Sequence, residues 1–215
     1  MRTILPLAAL TLLASPLPAT ACSVVAGYRV PTNLELVENA ELILLARVED
    51  GSADPRAGDE MRIRIRPLAA LKGTIPTGPV TLPGTMLGGA TELSNPYDLE
   101  RAHPQSLAGA CIRYAFPRGS RVLFFLKAEG DGWVPSARPF SRWAEDVPID
   151  EAPWLAAVRF YAEVAGLPEA DRKAALTARR DLLRARIDNP VAQLLAEDID
   201  RQLAGPNKPL RPATD

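Results

Sequence analysis

Apolar residues follow two regimes along this chain. Up to about residue 147 they occur in short runs or alternate with polar residues; beyond it they recur at intervals of three and four. Within Glu41 to Val48, the run Leu42-Ile43-Leu44-Leu45-Ala46 is unbroken, which predicts a central strand buried on both faces. A polar, turn-rich stretch follows from Glu49 to Asp59, with Gly51, Pro55 and Gly58. Met61, Ile63 and Ile65 then alternate with Arg62, Arg64 and Arg66, a period of two that predicts a half-buried strand whose arginines face water. Leu71-Lys72-Gly73 closes that segment at a turn, and Pro79 to Leu82 reads as a short third strand. Arg121 to Lys127, centred on Val122-Leu123-Phe124-Phe125-Leu126, is the fourth. Glu129-Gly130-Asp131-Gly132 turns the chain back through Trp133 and Val134 as the fifth. Five strands joined mostly by tight turns predict a small closed or nearly closed β-barrel. The exception is Pro83 to Ala110, which has no sustained periodicity and contains Gly84, Gly88, Gly89, Gly109, Pro96 and Pro104; connections of this length are usually functional or lack fixed structure.

Helical spacing takes over next. Pro153 fits a first helical position, with Trp154, Val158, Tyr161 and Ala165 as the stripe and Gly166 as the stop. A second helix is expected from near Pro168 through Leu176, Leu183 and Ile187 to Asp188. Asn189 then caps a third that carries Pro190 at its start and Val191, Leu195, Ile199 and Leu203 as its stripe, closed by Gly205-Pro206. The stripes read as packing surface. The fold class is therefore mainly β with α, a five-stranded barrel followed by a bundle of about three helices. Its divisions are 22–148 for the barrel, 149–205 for the helices and 206–215 for a proline-rich tail without fixed structure.

Residues 1–21 have a charged start at Arg2, an apolar stretch from Ile4 to Leu13, helix-breaking Pro16 and Pro18, then Ala19-Thr20-Ala21. This is the pattern of a secretory signal peptide. The apolar stretch is too short for a membrane span, which takes about 20 residues. An exported, periplasmic or extracellular protein with no transmembrane segment is expected. Cleavage after Ala21 makes Cys22 the first residue, and Cys111 is the only other cysteine. One disulfide between them is the simplest use of two cysteines in an oxidising compartment. In the chain-entropy view, closing a loop of about 90 residues stabilises the fold by roughly 4–5 kcal/mol. A lipid anchor on Cys22 is the competing use, less favoured because Ala19 stands where such sites usually have Leu. Structural zinc is excluded because His103, the one histidine, cannot complete four ligands with two cysteines.

Charge removes further classes. Without residues 1–21 the chain carries 24 bases against 26 acids, a net charge of −2, which gives no footprint for nucleic acid. Residues 150–204 hold ten acids and eight bases, so these helices are neither a basic membrane surface nor a nucleic-acid arm. No Gly-x-Ser-x-Gly elbow, phosphate-binding glycine loop or His-Glu-x-x-His helix occurs, and no cofactor is expected. His103, in a polar loop, is expected to be solvated. Glu92, Asp98 and Glu100 in the same loop could pair as acid and base only at a separation the sequence does not reveal.

The order of parts in 22–145 resembles the netrin-like module. This is the OB-fold of the inhibitory domain in tissue inhibitors of metalloproteinases and of related bacterial secreted proteins. The resemblance is carried by Cys22-Ser23, by Asn39 to Val48 as first strand, by Leu71-Lys72-Gly73 after the second, by Cys111 with Phe116 and Gly119, and by Arg121 to Leu126 leading to Asp131-Gly132. It implies an OB-like barrel and, again, a Cys22–Cys111 link; the helices from Asp150 onward have no counterpart in it. In the inhibitors the amino group and carbonyl of the first cysteine chelate the target's zinc and the next side chain enters its specificity pocket. Here those roles would fall to Cys22 and Ser23. Val24 stands where the inhibitors have a second cysteine, so the preorganisation behind tight binding is weakened.

The reading that follows is an exported, non-enzymatic protein-interaction module. If the disulfide forms, it joins the N-terminus to the long loop in one surface. Candidate contacts to a protein partner are Cys22, Ser23 and Val24 at the N-terminus and Glu92, Tyr97 and His103 in the loop. The alternatives are a metalloprotease inhibitor, with Cys22 on the partner's zinc, and a membrane-anchored lipoprotein of envelope function.

Overall fold

A computed structural model describes residues 23–51, 61–89, 92–109, 111–137 and 139–212. The expected signal peptide, Cys22 and the last three residues lie outside them. The chain forms an antiparallel sheet of six strands followed by three C-terminal helices. Strands β1 (Leu42–Gly51), β2 (Arg62–Lys72) and β3 (Val80–Pro83) are consecutive neighbours. After a long connection β6 (Arg121–Glu129) returns to lie beside β1, and β7 (Gly132–Pro135) pairs with β6. The order β3-β2-β1-β6 is a Greek key. Two elements go beyond the expected five strands. The short β8 (Ala144–Asp146) also pairs with β6, and β4 (Thr85–Leu87) forms a separate parallel pair with β5 (Ala115–Pro117).

The barrel expected from the turns is not closed. Edge strands β3 and β7 come within 8 Å of each other, but no hydrogen-bonded ladder joins them among the described residues. The curvature comes from irregular pairing of β1 with β2, whose register shifts at three places. Pro67 sits at one of these, opposite Ala46, with Leu68 as the extra residue. A proline can occupy a strand there without breaking the ladder.

Side-chain alternation then divides the core. From β1 and β6, Leu42, Leu44, Ala46, Val48, Val122, Phe124 and Leu126 face the concave side, where Ile63, Ile65, Phe116 and Trp143 meet them. Ile43, Leu45, Leu123 and Phe125 face the other side, so β1 is buried on both faces, as its unbroken run predicts. The three arginines of β2 point outward, and Arg66 pairs with Glu49 at 2.6 Å. Met61 is 38% exposed and does not continue the inward stripe.

The outer face is covered by helices. A short helix that hydrophobic spacing did not reveal, α1 (Asn33–Asn39), is fixed by a capping box between Thr32 and Glu35 and sends Leu36 and Val37 into this core. Its last turn is closed by Lys72, whose Nζ donates to the carbonyls of Val37 and Glu38 at 2.8 and 3.0 Å. Gly73 follows at φ +77, and a Cβ there would stand 2.6 Å from the Glu41 carbonyl oxygen. The turn at the end of β2 therefore requires glycine.

Helices α2 (Pro153–Ala165), α3 (Glu169–Arg184) and α4 (Pro190–Leu203) pack on the same face and share one core with the sheet. Asn189 caps α4 through the amide of Ala192. Buried Trp154, Val158 and Tyr161 are the expected stripe of α2. On α4 the most buried apolar residues are Ala192, Ala196 and Ile199. Helix α3 stops at Arg184, short of Asp188, and Ile187 is 78% exposed. Residues 206–212, where proline content predicts no fixed structure, are bonded to the N-terminal segment. The amides of Gly27 and Leu210 donate to the carbonyls of Arg211 and Tyr28, and Asn207 Nδ2 donates to Val30.

Candidate functional site

The connection from β4 to β5 lies against β8, and buried charges hold it there. Asp146 accepts from the Ser94 amide at 2.8 Å, and its own amide donates to Ser94 Oγ at 3.1 Å. Glu145 Oε1 accepts from the His103 amide at 3.0 Å. Asn33 Nδ2 donates to the Leu99 carbonyl at 2.7 Å, and the Trp154 amide to that of Pro96 at 3.1 Å. Three separate elements, β8, α1 and α2, thus fix a segment with little regular structure of its own.

Two buried acids are matched by two buried arginines. Arg113 is 1% exposed; its Nη2 donates to Asp146 at 3.0 Å and its Nη1 to the Ala144 carbonyl at 3.2 Å. Its guanidinium lies over the Phe116 ring, 4.7 Å from the centroid. Arg142 stacks at 3.8 Å over the Trp154 ring, with its Nε 3.7 Å from Glu145 Oε1. Removing charges from water is tolerated only when they compensate one another.

His103, expected to be solvated, is 1% exposed. Its Nδ1 accepts from the Gln105 amide, capping the 3₁₀ turn Pro104–Leu107, and its Nε2 lies 3.0 Å from the Glu92 carbonyl. Those contacts require a neutral ring with the proton on Nε2. Burial, and then the Arg113 charge, pull the imidazole below its usual 6.5, opposed by the Glu92 carbonyl, Asp146 and Glu145. The linkage has a definite sign. Above 6.5 the ring is neutral in both states, and its stability is fully present; as pH falls through the depressed folded value, the unfolded chain binds the proton more readily and that stability is lost. Urea unfolding at about pH 7.5 and about pH 5 is expected to show a smaller difference for His103→Asn than for the native chain. Equal differences would contradict this role.

Between the loop and β8 is a hollow of about 350 Å³, bordered by Glu92, Asp98, Arg101, His103 and Glu145, with Leu93 and Leu107 beside them. Leu93 and Leu107 are 48% and 57% exposed. Asp98 is occupied as a turn residue, accepting from the amides of Glu100 and Arg101 and from Arg101 Nε. Burial raises its carboxyl, but these hydrogen bonds outweigh that and hold it below the usual range. Glu92 and His103 are therefore brought together. Tyr97, 51% exposed, lies on an adjoining surface between the loop and α4, and Glu100 is exposed.

At the N-terminus Ser23 is exposed and Val24 half-buried. The Tyr28 hydroxyl donates to the Pro139 carbonyl at 2.7 Å, and the next residue, Phe140, donates its amide to the Cys111 carbonyl at 2.6 Å. The N-terminal segment and Cys111 thus meet on one stretch of chain. Cys111 is buried, with φ +57, and no free cysteine occurs among the described residues. The Cys22 half of the expected link, and any lipid on it, fall outside them. No helix among the described residues is long and apolar enough to cross a membrane.

Periodicity did not reveal Arg113, Arg142, Glu145 and Asp146. The available signal was Arg142-Trp143-Ala144-Glu145-Asp146, charges interleaved with an aromatic residue next to a strand partner. No protein-family model and no curated protein matches this chain.

Proposed function

We propose that this chain is an exported, non-enzymatic protein-interaction module. It is built on a netrin-like OB sheet and recognises its partner with the loop at 92–109 together with the start of the mature chain. The fold supports this: counting β1, β2, β3, β6 and β7 as five, the third and fifth lie close at the open seam of a Greek-key sheet, the arrangement of a partly open OB barrel. A disulfide from Cys22 to Cys111 belongs to the proposal, since both the N-terminal segment and Cys111 are held at 139–140.

The observation that carries the reading is the way the loop is held. Leu93, Tyr97 and Leu107 stay exposed although buried hydrogen bonds from Ser94 and His103 fix the backbone that presents them. Apolar side chains on a preorganised loop beside a polar hollow are what a partner surface can desolvate at little ordering cost. Both nitrogens of His103 are engaged in holding the loop, which gives the ring a structural task.

A photo-crosslinking residue at Tyr97 or Leu107 in the exported protein, in its native cells, is expected to yield a discrete protein adduct. The control is Leu182, 64% exposed on α3. Adducts at the loop but not at Leu182 support the assignment; equal labelling at all three, or none at the loop, would overturn it.

A further inference from the structure

Pairing register sets three arginines abreast on the face of the sheet opposite the concave core. Arg47 of β1 stands opposite Arg66 of β2 on one side and Arg121 of β6 on the other. Directly opposed residues share a face, and neighbouring strands lie about 4.8 Å apart, so the row spans roughly 10 Å. Like charges placed opposite one another destabilise a sheet. The two outer members are offset locally: Arg66 Nε pairs with Glu49 at 2.6 Å, and Arg121 pairs with Asp150. Arg47, in the middle, is not. It is exposed, its Nη1 donates to the Gly119 carbonyl at 3.0 Å, and among the described residues it has no ion-pair partner.

The surroundings do not supply the missing counter-charge. Arg64 on β2 and Arg118 before β6 extend the positive area, both more than half exposed. The acids beside them are already shared, Glu49 between Arg66 and Arg64, and Asp50 between Arg118 and Arg64. These five arginines thus have three carboxylates between them among the described residues, and none of the eight borders the hollow at the loop. The kind of cation and the size of the excess decide the partner. Every cation of the row is an arginine, whose planar fork matches a carboxylate with two hydrogen bonds. A small local excess interrupted by acids is a weak draw for an anionic lipid surface, where attraction grows with the number of clustered cations.

We infer that this row docks an acidic segment of a protein partner, with a carboxylate of that segment taken by Arg47 between Arg66 and Arg121. The surface is separate from the loop and does not depend on the role proposed for it. Arg47 then lowers the stability of the free sheet and contributes to binding, two effects that can be read separately.

The probe is a hexaglutamate peptide blocked at both ends, titrated into the full mature protein while the backbone amides of Arg47, Arg66 and Arg121 are followed by NMR. Saturable shifts at all three are expected, with affinity falling several-fold between about 0.05 M and about 0.3 M salt. Arg47→Gln should weaken binding by about fivefold or more while its urea midpoint stays at or above that of the native protein. Arg186→Gln, at an exposed arginine just beyond α3, should leave binding unchanged. No saturation at the row, or equal weakening by both variants, overturns the inference. So does an Arg47→Gln protein that is less stable than the native chain and binds the peptide equally well, since Arg47 would then be structural. Phosphatidylglycerol vesicles that bind where the peptide does not would assign the row to a lipid surface and overturn it likewise.

Discussion

Asp146→Ala is expected to destabilise the protein by about 3–5 kcal/mol, because it leaves the Arg113 guanidinium buried with no opposing charge. Among the described residues Arg113 has no other carboxylate within hydrogen-bonding distance, and its side chain is fully inaccessible to water. The same change removes the acceptor of the Ser94 amide, so the loop should loosen at its first anchor. Because domain stabilities usually lie at about 5–15 kcal/mol, the loss is a large fraction of the total. Asp146→Asn is the informative partner: it retains the shape and part of the hydrogen bonding and should fall between alanine and the native chain. Urea denaturation of the three proteins measures the order. An alanine variant within about 0.5 kcal/mol of the native protein would show that the buried pair does not hold this region.

A comparable effect is expected at Asp198, which is completely buried where α1, α2 and α4 meet. It accepts from Asn33 Nδ2 at 2.9 Å, from the Tyr161 hydroxyl at 2.6 Å and from Arg201 Nη2 at 2.9 Å. Burial, with the adjacent carboxylate, raises the Tyr161 hydroxyl well above its ordinary value, so the phenol remains a donor. Asp198→Ala leaves the Tyr161 hydroxyl and one Asn33 N–H buried without this acceptor, and strips the partly exposed Arg201 of its partner. A loss of about 3–5 kcal/mol follows, and at this chain length a fall in Tm of about 6–20 °C. Tyr161→Phe removes one hydrogen bond to a charged group and should cost about 1.5–3 kcal/mol. Asn33 also donates to the Leu99 carbonyl, so calorimetry on Asp198→Ala should be accompanied by weaker protection of the loop. A Tm within about 2 °C of native would contradict this assignment.

Those two carboxylates mark where sequence reading stops. Hydrophobic spacing reports which faces are turned inward, and it located the two-sided β1 run, the Ile63/Ile65 alternation of β2 and the Asn189-Pro190 start of α4, because each depends on neighbours in sequence. Helix α1 was also written locally, in Thr32 and Glu35, although its seven residues are too few for a stripe to stand out. Asp146 is different. Its partners Ser94 and Arg113 lie 52 and 33 residues away, and only the folded chain shows that charges in an apolar neighbourhood neutralise one another. The same holds for His103, which has the composition of a solvated loop and the environment of a core. The tail at 206–212 likewise acquires its order from residues 27–30 at the opposite end of the chain.

What unites these sites is a loop whose shape is set by buried groups of the chain itself, and amide hydrogen exchange reads that directly. The Ser94 and His103 amides donate to Asp146 and Glu145, both buried, and so should exchange as slowly as amides in β1 and β6. Exchange of these two amides at the rate of an unstructured chain, while β1 and β6 remain protected, would contradict the account.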